Sequence, residues 1–164
     1  MTMNNISIAK VVLSISSTGD NLNKGTLLLE RLTGRKPARK KSTKRIPALG
    51  VRPGLEVGSM VTLRGDKALE MLKKLLVAED NFLKKRKFSD NSFSFGIKEY
   101  IEIPGMQYQR DIGIIGFDVS VAFERPGKRV IRKKIKQGRL PRKQQISKEE
   151  IMNFMKEHFH VEIK

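Results

Sequence analysis

The chain has 164 residues, 38% of them hydrophobic, which is enough for one domain with a real core and short for two. It has no cysteine, which excludes disulfides, cysteine-ligated zinc and a thiol nucleophile. Its 34 Lys and Arg outnumber its 17 Asp and Glu, giving a net charge of +17, and no apolar run approaches the ~18 residues needed to span a bilayer. The opening Met1-Thr2-Met3-Asn4-Asn5 has no basic region and no sustained apolar segment, so no signal peptide is expected there.

Residues 6–15 read as a strand, because Ala9, Val11, Leu13 and Ile15 alternate with Lys10 and Ser14 at period two. A turn cluster at 16–20 precedes a predicted helix from Asp20, with Leu22, Leu28, Leu29 and Leu32 on one side and Gly34 as its stop. Pro37, Pro47 and Pro53 then forbid a long helix and favour extended, irregular chain. A second strand is predicted at 57–64, with Val57, Ser59, Val61 and Leu63 on one face and Met60, Thr62 and Arg64 on the other. Asp66 is placed to cap the next helix, whose apolar stripe is Leu69, Leu72, Leu75 and Leu76.

Residues 89–92 read as a loop, followed by a strand through Phe93, Phe95 and Ile97 that is expected to reach Ile103. Another strand is predicted at 114–123, with Phe117, Val119, Val121 and Phe123 on one face. Ser147 and Glu150 form a capping box that opens a last helix bearing Ile151, Phe154, Met155 and Phe159. This order implies an α+β fold in two layers: a mainly antiparallel sheet with helices on one face, forming a single domain over 1–164 with a basic loop at 35–54 and a basic arm at 125–145.

The positive charge is concentrated. Between Arg31 and Arg52 there are nine bases and no acid, and between Arg125 and Gln145 ten bases and no acid. The remainder holds 15 bases against 17 acids, which is close to neutral. Such a concentration repels itself unless a polyanion lies against it, and release of counterions from phosphates is the usual source of binding energy. The expected backbone contacts are Lys36, Arg39, Lys40, Lys41, Lys44, Arg45 and Arg52 in the loop. In the arm they are Arg125, Lys128, Arg129, Arg132, Lys133, Lys134, Lys136, Arg139, Arg142 and Lys143. Val130, Ile131, Ile135, Leu140 and Ile146 are too sparse to bury a face, so an extended arm or hairpin ordered mainly by its partner is expected. No helix is both basic and amphipathic in the manner of a DNA major-groove reader, which points to RNA recognised through shape and backbone.

Catalytic patterns are few. His158 and His160 are the only imidazoles, and no carboxylate pattern completes a metal site around them. No carboxylate pair is set up for acid–base work, and neither Arg125-Pro126-Gly127-Lys128 nor Leu63-Arg64-Gly65 has the spacing of a phosphate loop. Phe93 and Phe95, two apart on one face, fit a core better than a base-stacking platform. No cofactor and no metal are expected.

Several motifs resemble one family in order. They are Ala9-Lys-Val-Val-Leu-Ser-Ile, Leu32-Thr-Gly-Arg-Lys-Pro, Gly50-Val-Arg-Pro-Gly-Leu-Glu-Val-Gly and Val61-Thr-Leu-Arg-Gly, then Phe93-Ser-Phe-Gly-Ile-Lys-Glu, Asp111-Ile-Gly-Ile-Ile-Gly-Phe-Asp and Arg125-Pro-Gly. Together, over about 6–159, they resemble the large-subunit ribosomal protein L five family. The Arg-Pro-Gly segment and the helix after Ser147 resemble its archaeal and eukaryotic branch, and the lack of an N-terminal helical extension fits the archaeal type.

The resemblance implies a non-catalytic, cytoplasmic protein of the ribosome. It would bind 5S ribosomal RNA and help attach it to large-subunit RNA in the central protuberance, beside other proteins there. It would also contact P-site tRNA and a protein of the small-subunit head in an intersubunit bridge. The 5S contacts carried over from the family are Ser14, Arg35, Leu49, Thr62 and Arg64. Thr62 and Arg64 keep the family's residues. Ser14, Arg35 and Leu49 stand where it has Asn, Gln and an aromatic, and Arg35 exchanges an amide for a phosphate-binding guanidinium. A second reading is an RNA-binding or RNA-chaperone module acting outside the ribosome, and a third is an enzyme acting on RNA or nucleotides. No membrane partner is expected.

Overall fold

The computed structural model describes residues 5–164, so most of the segment read as lacking a signal peptide lies outside the described residues. Six strands form one mainly antiparallel sheet in the order β2-β3-β1-β7-β6-β5. They are β1 (Ser7–Ser16), β2 (Ala38–Lys41), β3 (Glu56–Leu63), β5 (Phe88–Ser89), β6 (Ser92–Ile97) and β7 (Phe117–Glu124). The helices are α1 (Asp20–Thr33), α2 (Asp66–Ala78), the short α3 (Arg129–Arg132) and α4 (Lys148–Phe159). Two-residue strands β4 (Phe82–Leu83) and β8 (Glu162–Ile163) pair in parallel as a separate ribbon. The expected α+β class is therefore observed.

Period-two alternation decides the layering. On β1, Val11, Leu13 and Ile15 are buried while Lys10, Val12 and Ser14 are half-buried. On β7, Phe117, Val119, Val121 and Phe123 are buried, and Asp118 and Ser120 between them are exposed. On β6, Phe93, Phe95 and Ile97 are buried, whereas Ser94 and Gly96 face out.

Two compact units share these strands. One comprises Val12–Leu63 and Gly96–Val119. In it α1 lies on the apolar face with Leu22, Leu28 and Leu29 buried. Gly25 sits so near Ile15 that a Cβ there would come within 2.9 Å of its Cγ2. A glycine in mid-helix costs about 1 kcal/mol of propensity, and here it allows helix and strand to approach closely.

The other unit comprises the residues up to Val11, Arg64–Phe95 and Ser120–Lys164. Its core is aromatic: Phe93 stacks on Phe88 at 5.2 Å and on Phe123 at 5.8 Å, and Phe154 of α4 meets Phe123 edge-on at 5.7 Å. Burial of Phe93 and Phe95 agrees with their expected place in the core.

Several local expectations need correction. The strand at Phe93 ends at Ile97, because residues 100–102 form a 3-10 turn that buries Tyr100. The next strand begins at Phe117 rather than at 114. Asp66 does not cap α2: Gly65 holds the cap position without a side-chain bond, and Asp66 is the first helical residue, where its charge still favours the helix dipole. Leu69 is exposed, and Ala68 takes its place among the buried residues of α2. The loop at 89–92 is the turn of the β5–β6 hairpin, with Asn91 at φ 60°. The arm is not fully extended, since it contains α3, and Gly138 N–H returns to donate to Val130 O at 3.2 Å.

The capping box of α4 forms as expected. Glu150 N–H donates to Ser147 Oγ at 3.3 Å, and Ser147 N–H donates to Glu150 Oε2 at 2.9 Å. Glu150 Oε1 also accepts from Arg125 Nη2 at 2.6 Å. The Ser147 N–H is the main influence holding the Glu150 carboxyl below its ordinary value; partial burial opposes it and Arg125 adds to it. A lowered folded-state pKa contributes stability that is present above the ordinary glutamate value of 4.5 and lost as the pH falls through the folded value. Glu150→Gln keeps an acceptor for Ser147 but removes the charge. We expect it to cost about 0.5 kcal/mol at neutral pH and to flatten the loss of stability on acidification. Denaturant titrations at neutral and acid pH check both, and equal acid sensitivity of variant and wild type would contradict the linkage.

Candidate nucleic-acid interface

The sheet face turned away from the buried residues carries small and polar side chains. In the unit holding α1 these include Ser14, Ser16, Thr62, Gly96 and Asp118. Thr62 lies on β3 between buried Val61 and Leu63, so it points away from the core as its spacing predicts. Arg35 reaches the same strand, and its Nη1 donates to Thr62 O at 3.3 Å. The structure thus brings Arg35 and Thr62 together. Arg64, in the other unit, is exposed and donates from Nη1 to Ala9 O at 3.3 Å.

The first basic stretch is more regular than its prolines suggest. β2 pairs antiparallel with β3, with Ala38 opposite Met60 and a bulge between Lys40 and Lys41. Beyond β2 the pairing continues as isolated rungs. Ser42 N–H donates to Leu55 O at 2.8 Å, Gly54 N–H to Ser42 O at 2.8 Å, and Ile46 and Val51 exchange bonds at 2.9 and 3.1 Å. The tip is a 3-10 turn, Pro47–Leu49, closed by Gly50 at φ 63°. Leu49 stands there 71% exposed, remote in character from the polar sheet residues with which the family pattern groups it.

Not every base in these stretches is free. Arg39 Nη1 donates to Glu56 Oε2 at 2.7 Å and its Nη2 to Asn23 Oδ1 at 3.0 Å. Arg125 binds Glu150, has only 12% of its side chain exposed, and also donates to Lys143 O at 3.4 Å. Arg132 donates to Glu124 Oε2 at 2.7 Å. These three arginines hold the roots of the loop and the arm in place. By contrast Lys36, Lys40, Lys41, Lys44, Arg45 and Arg52 are exposed with no bonded side-chain partner among the described residues. The same holds in the arm for Arg129, Lys133, Lys134, Lys136, Arg139, Arg142 and Lys143, and Lys128 is half-buried without a partner. Sequence alone does not separate anchoring from free arginines, because their acceptors Glu56, Asn23, Glu124 and Glu150 lie outside the acid-free stretches.

Sequence reading also misses a cavity of about 490 Å³ beside Ser14, walled by Ser17, Lys98, Ile114 and Asp118. The alternation of β7 exposes Asp118, but nothing local announces that residues 14–17, 96–98 and 114–116 gather around it. Among the described residues no group of three or more His, Asp or Glu could hold a metal, and no helix is long and apolar enough to cross a membrane.

A basic α+β protein with a helix-backed sheet and a polar open face is thereby defined. Residues 56–157 match the C-terminus of the ribosomal protein L5 family. The large ribosomal subunit protein uL5 of Nanoarchaeum equitans is 45% identical over 164 residues, covering 98% of this chain and 97% of that protein. The uL5 proteins of Sulfolobus acidocaldarius and Methanosphaera stadtmanae are 42% and 38% identical, covering 93% and 96% of the chain and 86% and 95% of their own lengths. The chain belongs to the uL5 family of large ribosomal subunit proteins. That family is structural and non-enzymatic, and its members are components of the ribosome in the cytoplasm.

Proposed function

We propose that the protein binds 5S ribosomal RNA and helps attach it to large-subunit RNA in the central protuberance. The observation that carries this reading is the open polar sheet face, accompanied by basic residues with no bonded side-chain partner among the described residues. Ser14, Arg35 and Thr62 would meet RNA from the sheet, with Arg64 at the end of β3, and Leu49 would dock from the loop tip. The free bases of the loop, Lys40, Lys41, Lys44 and Arg45 foremost, would reach P-site tRNA. The arm would lie against RNA or a small-subunit head protein in an intersubunit bridge. The chain would act as one RNA-binding domain, since β1, β6 and β7 each run from one compact unit into the other. Arg39, Arg125 and Arg132 would contribute by positioning rather than by touching phosphate.

Replacing Thr62 and Arg64 together with Ala is expected to weaken 5S RNA binding by about 1.5–3 kcal/mol for each charge-assisted hydrogen bond removed. Filter-binding titration measures this, with circular dichroism confirming the fold. A folded double variant with unchanged affinity would remove the sheet edge from the interface. Co-sedimentation of the native protein with large subunits at moderate salt separates the ribosomal reading from action outside the ribosome.

A further inference from the structure

The cavity beside Ser14 carries an acid where a phosphate-binding surface should have none. Asp118 projects from the open face of β7, exposed and without a hydrogen-bond or ion-pair partner among the described residues. Glycine makes room for it: a Cβ on Gly96 would lie 3.3 Å from Asp118 Oδ1. Gly116 closes the wall behind, since its Cβ position is 2.6 Å from both Ile97 O and Lys98 O. In the same wall the Ser17 hydroxyl is buried with no bonding partner. Lys98 is exposed at the rim, and Ile114 is 63% exposed and offers an aliphatic surface.

A carboxylate on a face that meets RNA repels phosphates and accepts from a ribose 2′-hydroxyl or from base donors, of which only the base donors differ between nucleotides. An unpaired base presents its Watson–Crick edge to such groups. Guanine offers N1–H and N2–H side by side, matching the two carboxylate oxygens in a bidentate pair. Adenine places an acceptor beside its amino group, uracil flanks its N–H with two carbonyls, and cytosine has a single amino donor. The volume lies within the ~300–1,000 Å³ usual for small-molecule sites.

We propose that this cavity holds one unpaired guanine nucleotide of the bound RNA, with Asp118 on its Watson–Crick edge, Ser17 bonding the base, Ile114 against the ring and Lys98 on the adjoining phosphate. This assignment rests on the RNA-binding reading above and adds base selectivity to it.

The test titrates the isotopically labelled full chain with the pentaribonucleotides UUGUU, UUAUU, UUCUU and UUUUU, followed by NMR, while 5S RNA binding is measured in parallel by filter binding. The guanine pentamer should bind about tenfold tighter than the others, toward the lower end of what one bidentate base contact supplies, and should shift the amides of Ser14, Ser17 and Asp118. The isosteric Asp118→Asn replaces an acceptor with a donor and should abolish the guanine preference. Ser17→Ala should weaken guanine binding severalfold. If 5S RNA binds but the pentamers bind equally, or bind elsewhere, or not at all, the guanine site is overturned while the RNA-binding reading stands. If 5S RNA itself fails to bind, that reading falls and the site falls with it.

Discussion

Deleting residues 128–143 is expected to lower the log–log salt slope of RNA binding by about six while leaving the remaining chain folded, at ~0.7–0.9 per phosphate neutralised. The segment holds nine bases, of which Arg132 is engaged with Glu124, leaving eight for phosphates. The splice is short, because a Cβ on Gly127 would lie 3.9 Å from Gln144 Nε2. Little of the arm is buried: Val130, Ile131 and Ile135 are all exposed. Burial so slight does not cover the ~1–2 kcal/mol per residue of backbone ordering, so the free protein should show weak amide protection over 128–143 that rises on RNA binding. Affinity measured against salt for both proteins checks the slope. An unchanged slope, or strong protection without RNA, would make the arm part of the fold rather than of the interface.

Phe123→Ala should cost about 3–5 kcal/mol of stability, a large part of the 5–15 kcal/mol that holds a typical domain together. Its ring is 0% exposed and sits between Phe93 and Phe154, so truncation opens a void that the neighbouring aromatics cannot close. Denaturant unfolding measures the change. A cost below about 1 kcal/mol would mean that this core relaxes far more than large-to-small substitutions usually allow.

Strands and long helices were legible wherever burial is one-sided. The alternation of β1, β3, β6 and β7 and the leucines of α1 state directly which side is covered, and Ser147 with Glu150 announces the start of α4. Failures came where local chemistry is overruled by distant partners. The prolines at 37, 47 and 53 argue for irregular chain, yet β2 forms because β3 supplies its hydrogen bonds. Asp66 has the right side chain to cap, but the backbone at Gly65 takes that position. Leu69 fits the helical stripe and still faces out, since the buried face of α2 runs through Ala68 instead. In the candidate interface, the positions of Thr62 and Arg64 follow from period two, whereas the pairing of Arg39, Arg125 and Arg132 with acids 8 to 25 residues away does not. The Asp118 cavity is lined by residues from segments far apart in the chain, 14–17, 96–98 and 114–118, for which a single sequence carries no local signal.

The rungs across the first basic stretch have a consequence for how its charges are used. Bonds between Ser42 and Gly54, Ser42 and Leu55, and Ile46 and Val51 restrict this loop before any partner arrives. Immobilising a side chain on binding typically costs ~0.5–1.5 kcal/mol, and ordering a free loop adds to that. Here the backbone share has been met during folding. The loop and the arm are nearly equal in charge, but they would divide the work of association by entropy. The braced loop presents lysines that can meet an RNA surface in nearly their final places, so its contacts should form early and show little change in heat capacity, whereas the arm must become ordered as it binds.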